Sequence, residues 1–192
     1  SELVDQLLEN GIQPMVTLHH FTNPLWWEDM GAFEDEANIL YWIRFCSKMF
    51  EVLSNRVVWW CTINEPAVYA SMGYVLGEFP PGERSFKKTR QVSLNLMRAH
   101  ARCYRTLKSM EHGGTRKIGL VKNINLFDPY RRWNPLPRFQ ARLLDGMFNR
   151  CWIDGLKTGR FKPPSAFRSV SIDGLKGSSD FIGLNYYTHL LA

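Results

Sequence analysis

Five residues of this 192-residue chain pair useful chemistry with positions at the tips of strand-like segments: His20, Asn64, Glu65, Asn185 and Tyr187. A carboxyl such as that of Glu65 can give up or take up a proton, the work of a general acid or base. Asn64, Asn185 and His20 offer hydrogen bonds to a polar ligand, and Tyr187 offers a phenolic hydroxyl. Each also has a plainer reading. A strand-end Glu can be a cap or a surface charge, an Asn can bond the backbone of a turn, and a Tyr can simply pack. A single strand-end His is more often a local hydrogen-bonding group than a catalyst, so His20 is assigned to binding rather than proton transfer. His19 precedes it, and strand alternation lets only one of the pair face inward. Asp128 is the other carboxylate near a strand tip, and the DP dipeptide it opens reads as a turn.

The segments that position these residues alternate between two periodicities. Leu3, Leu7 and Leu8 recur at helical spacing before Gly11, and PMVTLHH at 14–20 is a short apolar run ending in polar residues. Ile39, Trp42, Cys46, Met49, Phe50 and Leu53 mark a helix, and VVWWCTIN at 57–64 marks a strand that Pro66 stops. A loop containing GEFPPGE leads to a helix with Val92, Leu96, Ala99, Cys103, Leu107 and Met110 on one face, ended by Gly113 and Gly114. KIGLVKNINL at 117–126 reads as a third strand. Phe139, Leu143, Met147, Cys151 and Trp152 outline another helix, 161–179 looks like connection, and FIGLNYYT at 181–188 is a fourth strand.

Strand and helix in alternation, with no hairpin signal, imply parallel strands joined by crossovers: an α/β sheet or a (β/α)8 barrel. The barrel is favoured because the polar residues above lie at the C-terminal ends of different strands, where barrel enzymes build their sites. No GxGxxG or GxxxxGK[ST] follows a strand, which weakens a nucleotide-binding sheet. Asn185 and Tyr187 are two apart and share a face. Asn64 and Glu65 are adjacent, so they can share a pocket only if the strand tip twists or bulges.

Composition narrows the class. With 45% hydrophobic and 14% aromatic residues the chain can bury a sizeable core, and its apolar runs fall far below the roughly 20 residues of a membrane span. The formal charge is +6, but Lys and Arg are spread along the chain apart from short groups such as Lys87, Lys88 and Arg90. Neither nucleic acid nor membrane is expected as a partner. Cys46, Cys61, Cys103 and Cys151 form no CxxC pair and have no His at zinc-site spacing, so no metal or cofactor is expected. They read as buried thiols, which favours a reducing compartment and a cytoplasmic location. The opening SELVDQLLENG looks like the end of a helix, and a longer parent is expected.

TLHHF at 17–21, TINEP at 62–66, GYVLGEFPPG at 73–82 and DFIGLNYYT at 180–188 together resemble, in order, the landmarks of family 1 glycoside hydrolases, which are β-glucosidase-like enzymes. The resemblance covers nearly the whole chain. It implies a (β/α)8 barrel seen here from about strand 3 to strand 6, as one partial domain over 1–192. Cleaving an acetal by a retaining route needs a proton for the departing oxygen and a second carboxylate to form a covalent glycosyl ester. By resemblance Glu65 is the general acid/base and Asn64 bonds the sugar 2-hydroxyl. His20 contacts sugar hydroxyls, Tyr187 orients the nucleophile, and Asn185 joins the surrounding network. Phe21 stands where many members have Trp, which keeps an apolar wall and loses an indole donor.

The family carries its nucleophile in a TENG-like motif on the seventh strand, and no glutamate of this chain lies in such a motif. The nucleophile is therefore expected outside these residues. Four strands of eight cannot close a barrel, so the 192 residues alone are expected to be poorly soluble or partly unfolded, and inactive. The implied ligand is a β-glycoside or oligosaccharide. The competing class is a noncatalytic carbohydrate-binding or scaffold protein that retains half a glycosidase site.

Overall fold

The computed structural model describes residues 1–111 and 114–191. Its strands are β1 (Met15–His19), β2 (Trp59–Asn64), β3 (Lys117–Asp128), β4 (Arg160–Phe161), β5 (Val170–Ser171) and β6 (Phe181–Leu191). Its α-helices are α1 (Glu2–Glu9), α2 (Leu25–Asp29), α3 (Ile39–Leu53), α4 (Pro66–Ser71), α5 (Phe86–Met110), α6 (Pro135–Asp145) and α7 (Cys151–Thr158). β1, β2, β3 and β6 form one sheet in that order, each neighbouring pair parallel. Helices make every crossover, as the alternation of periods requires.

Two helices explain why the sheet stands up. α5 starts where the Ser85 hydroxyl accepts from Lys88 N at 3.3 Å, and its stripe of Val92, Leu96, Ala99, Cys103 and Leu107 is fully buried. α3 lays Ile39, Trp42, Cys46, Phe50 and Leu53 against it, with Phe50 meeting Trp60 of β2 at 4.9 Å between ring centroids. Alternation then turns Trp59 to the other face of the sheet, where it meets Phe181 of β6 at 5.4 Å. Residues of the sheet farther from these helices stay exposed: Met15 on β1, and Ile182, Leu184 and Tyr186 on β6.

The structure extends and corrects several sequence expectations. β3 runs on to Asp128, so Asp128 is a strand residue rather than part of a turn. The segment expected to be plain connection holds a short antiparallel ladder, Arg160 opposite Ser171 and Phe161 opposite Val170. Two residues per strand are too few to leave a period, and the pair is held by Phe161 packing on Trp152 at 5.0 Å. The loop after Glu65 begins with α4 and a π turn, Met72–Leu76, whose start was signalled by Pro at the first helical position. α2 went unpredicted in the Trp-rich loop. α5 ends at Met110; Gly113, expected to help end it, lies outside the described residues.

Candidate functional site

β2 breaks its register with β3 near its tip. Cys61 is opposite Gly119 and Asn64 opposite Val121, so β2 spends one more residue than β3 over that interval. Glu65 then turns into the left-handed region, φ 47° and ψ 61°, a conformation that costs a non-glycine residue about 1 kcal/mol or more. Neighbouring bonds hold it there. Its N–H donates to the Val121 carbonyl at 2.8 Å, and its own carbonyl accepts from Val68 and Tyr69 N–H groups at 2.9 and 3.1 Å. The bulge and the turn together resolve the parity difficulty, because they let two adjacent side chains reach one neighbourhood.

That neighbourhood is a chain of amides and an imidazole. Asn185 of β6 donates its Nδ2 to Glu65 Oε1 and, at 3.3 Å, to Asn64 Oδ1. Asn64 Nδ2 lies 3.3 Å from His20 Nε2. The pair is a hydrogen bond from the amide in the tautomer that leaves Nε2 free to accept. Glu65 is only 4% exposed, a carboxyl buried yet partnered on one oxygen. His20 itself is exposed, edge-on to Phe21 at 4.9 Å, and Phe21 meets Phe79 of the GEFPPGE loop at 5.6 Å.

Four of the five candidates are therefore linked, and Tyr187 stands apart. It is 72% exposed, and among the described residues its hydroxyl bonds nothing. Tyr187 is on β6, the edge strand of the sheet, and a second irregularity falls beside it: Ile124 pairs with Tyr186, but Leu126 pairs with His189, so β6 gains a residue just where Tyr187 falls. The two-apart rule holds on a regular strand only. Asp128 pairs with His189 Nε2 at 3.1 Å and Arg132 at 3.8 Å and makes no bond to Glu65.

His19 points away from this group. It is buried edge-on against Phe33 and Tyr69, each at 5.1 Å, with Nε2 3.1 Å from Asn23 Oδ1. Asn23 in turn donates to Glu28 Oε1 at 2.5 Å and Tyr69 Oη at 3.0 Å. Burial pushes the His19 pKa down to about 4, opposed by the Asn23 bond and reinforced by neighbouring His20. The Tyr69 hydroxyl is raised by its burial and by the nearby Glu28 charge. Sequence reading missed Asn23, Glu28 and Tyr69, since nothing in their spacing joins a loop, α2 and α4. It also missed Asn123, which is buried opposite Asn185 in register, with no partner for Oδ1 among the described residues. The alternating polar positions of KNIN were the available signal. Among the described residues no group of three or more His, Cys, Asp or Glu is placed to hold a metal ion.

A carboxyl at the C-terminal edge of a parallel sheet, held by side chains from neighbouring strands, is the arrangement that barrel-type enzymes share. The chain matches the sequence model of glycosyl hydrolase family 1 over residues 1–192, and it belongs to that family. It is 32% identical to a 6-phospho-beta-galactosidase of Clostridium acetobutylicum, covering 98% of this chain and 43% of that protein. A beta-glycosidase from Pyrococcus horikoshii superposes with a TM-score of 0.87 at 39% identity, covering 98% of this chain and 42% of the other. A beta-glucosidase from Thermotoga maritima in complex with deoxynojirimycin superposes with a TM-score of 0.89 at 27% identity, covering 99% and 45%. The chain thus spans less than half the length of these relatives. They are (β/α)8 barrels, and the four-stranded parallel sheet is an incomplete barrel of the same kind.

Proposed function

We propose that these residues form the acid/base half of a retaining β-glycosidase of β-glucosidase type. Glu65 is the general acid/base, and the nucleophilic carboxylate comes from outside the 192 residues. The observation that carries this reading is the bond from Asn185 to Glu65 Oε1, which occupies one carboxyl oxygen and leaves Oε2 to hold the proton. In the first step that proton passes to the departing glycosidic oxygen while the nucleophile forms a glycosyl ester. In the second step the Glu65 carboxylate takes a proton from the attacking water. Asn64 and His20 bond sugar hydroxyls, with Asn64 serving the 2-hydroxyl. Tyr187 orients the nucleophile once that strand is in place beside β6. The ligand is a β-glycoside or oligosaccharide, and no cofactor takes part.

The test is Glu65→Gln in the full-length protein, assayed on aryl β-glycosides of graded leaving-group acidity. Poor leaving groups depend most on acid assistance, so their turnover should fall most. Equal slowing across the series would overturn the assignment. Sugar binding without turnover by the unmodified full-length protein would instead favour a noncatalytic carbohydrate-binding protein. The 192 residues alone should not hydrolyse these substrates, and turnover accompanied by a cooperative melt would contradict that.

A further inference from the structure

Phe21 and Glu65 share an uncommon backbone. Among the described residues four non-glycine residues have positive φ, and two of them stand at the strand tips that carry the candidate site. Phe21, at 69°, directly follows His20, and Glu65, at 47°, directly follows Asn64. A left-handed turn is unfavourable for a residue with a side chain, and it persists only where neighbouring contacts over-determine it. Each of the two turns aims a functional group. The first seats the Phe21 ring between His20 and Phe79, and the second brings the Glu65 carboxyl to Asn185.

One pair of side chains holds both turns. The 3.1 Å contact between His19 Nε2 and Asn23 Oδ1 closes a loop over His20, Phe21 and Thr22. Asn23 Nδ2 donates to Glu28 Oε1 at 2.5 Å and to Tyr69 Oη at 3.0 Å, so every polar atom of the Asn23 side chain is bonded. Tyr69 stands on α4 four residues after Glu65, and its N–H donates to the Glu65 carbonyl at 3.1 Å. Its ring is fully buried, edge-on to His19 at 5.1 Å and to Phe33 at 6.0 Å, which keeps the hydroxyl aimed at Asn23. Every member of this strut lies on β1, the loop after it, α2 or α4, so all of its bonds are made within these residues.

The sheet itself does not do this work. The β1–β2 ladder ends at His19 opposite Ile63, and beyond that rung the hydrogen bonds between the two tips, among the described residues, are side-chain bonds: Asn64 to His20 and Asn23 to Tyr69. A buried polar network that served stability alone could anchor on regular backbone, whereas this one ends on the two strained turns. We propose that Asn23, acting through Tyr69, is a positioning residue of the glycosidase reaction, tying the turn that presents His20 and Phe21 to the turn that presents Glu65. This role rests on the reading of Glu65 as the acid/base. A sugar held at His20 and a proton held on Glu65 have to meet at the departing oxygen, and a misplacement of about 1 Å costs on the order of 100-fold in rate. Release of Asn23 frees the Phe21 turn to relax, and with it the placement of the sugar against the proton donor.

The test is kcat and KM of the full-length Asn23→Ala and Tyr69→Phe variants on aryl β-glycosides of graded leaving-group acidity, with Tm measured alongside. Asn23 is only partly buried and Tyr69→Phe keeps the ring, so both variants are expected to fold. Each should lose about tenfold in kcat/KM on the poorest leaving group and less on the best, since only the poor ones depend on proton delivery. The double variant should lose little more than either single one, because both cut the same strut. Glu28→Gln keeps an oxygen that accepts from Asn23 and should lose much less than Glu28→Ala. Additive losses, or a loss uniform across leaving groups that tracks the drop in Tm, would mark a network that serves stability alone and overturn the proposal. Parent kinetics in Asn23→Ala would overturn it as well. Glu65→Gln measured in the same series tells the two failures apart. A leaving-group gradient in Glu65→Gln without one in Asn23→Ala removes the strut alone, and no gradient in Glu65→Gln removes the acid/base reading and the strut with it.

Discussion

Asn185 hydrogen-bonds Glu65 across an intervening strand: β6 and β2 are not neighbours in the sheet, and β3 lies between them. The reach is possible because the tip of β2 bulges and Glu65 turns left-handed, which lets its carboxyl cross the middle of β3, where Asn123 stands opposite Asn185. β3 therefore acts as the spacer that sets how far the acid/base stands from its amide donor. Asn185→Ala should cost the full-length enzyme about 5- to 150-fold in kcat/KM, the cost of leaving a buried polar group without its hydrogen bond. An unchanged kcat/KM for an aryl β-glycoside would show that the amide does not position Glu65.

The parallel sheet, its helical crossovers and the strand-tip placement of His20, Asn64 and Glu65 were legible because each rests on a period of two or of three to four residues, whereas Asn185, expected at a strand tip, lies in the middle of a β6 that runs on to Leu191. What was illegible came from departures from those periods. The extra residue in β2 brought Asn64 and Glu65 together against alternation, and β6 carries an extra residue beside Tyr187 that alternation does not foresee. A bulge is a tertiary response to strand twist and neighbouring contacts, so its position is not written in hydrophobic patterning. The apolar stripe of α6 was legible as a stripe, but the exposure of Leu136, Phe139 and Leu143 on it was not, because periodicity gives a helix a face and does not say which way the face points.

His100 should make the protein acid-labile. It is fully buried on α5, with Nδ1 2.7 Å from Thr62 Oγ1 of β2 and Nε2 3.1 Å from Ser179 Oγ ahead of β6. Burial lowers its pKa to about 4, partly opposed by the Ser178 backbone. The unfolded chain, with a histidine pKa near 6.5, then takes up the proton first, so stability is full above pH 6.5 and falls as pH drops towards 4. The loss for this one group is about 3 kcal/mol. Urea melts of the full-length protein should show it, and His100→Gln should flatten the slope over that window. An unchanged slope would place the acid sensitivity elsewhere, His19 being the next candidate.

Lys122 should give a slope of the same sign, stability rising with pH, in a higher window. Its side chain is 1% exposed on β3, with Nζ 4.2 Å from the centre of the Phe148 ring and donating to the Asn123 carbonyl. Burial pulls its pKa down to about 8, against the raising influence of Cys151 and Glu65. The unfolded lysine keeps its proton to about pH 10.4, so the cost of burying the charge is fully felt below pH 8 and is relieved as pH rises from 8 towards 10. Lys122→Met should stabilise the protein by about 1–3 kcal/mol at pH 7 and remove the rise. A destabilised variant would mean that the ring and carbonyl contacts outweigh the burial cost.

Gly119 of β3 packs against Phe181 of β6 with no room for a side chain. A Cβ built there would stand 2.4 Å from the Phe181 carbonyl oxygen and 2.9 Å from the Phe181 ring, and the oxygen is backbone that cannot swing aside. Gly119→Ala must push β6 outward, and overpacking of this kind costs about 1–3 kcal/mol or more. Because Asn185 rides on β6, the same displacement withdraws its amide from Glu65. The variant should lose stability and activity together, with kcat falling further than the loss of folded protein explains. If activity per folded molecule stays at the parent level while Tm drops, the β3–β6 spacing matters to the fold alone and the amide–carboxyl contact tolerates more movement than its geometry implies.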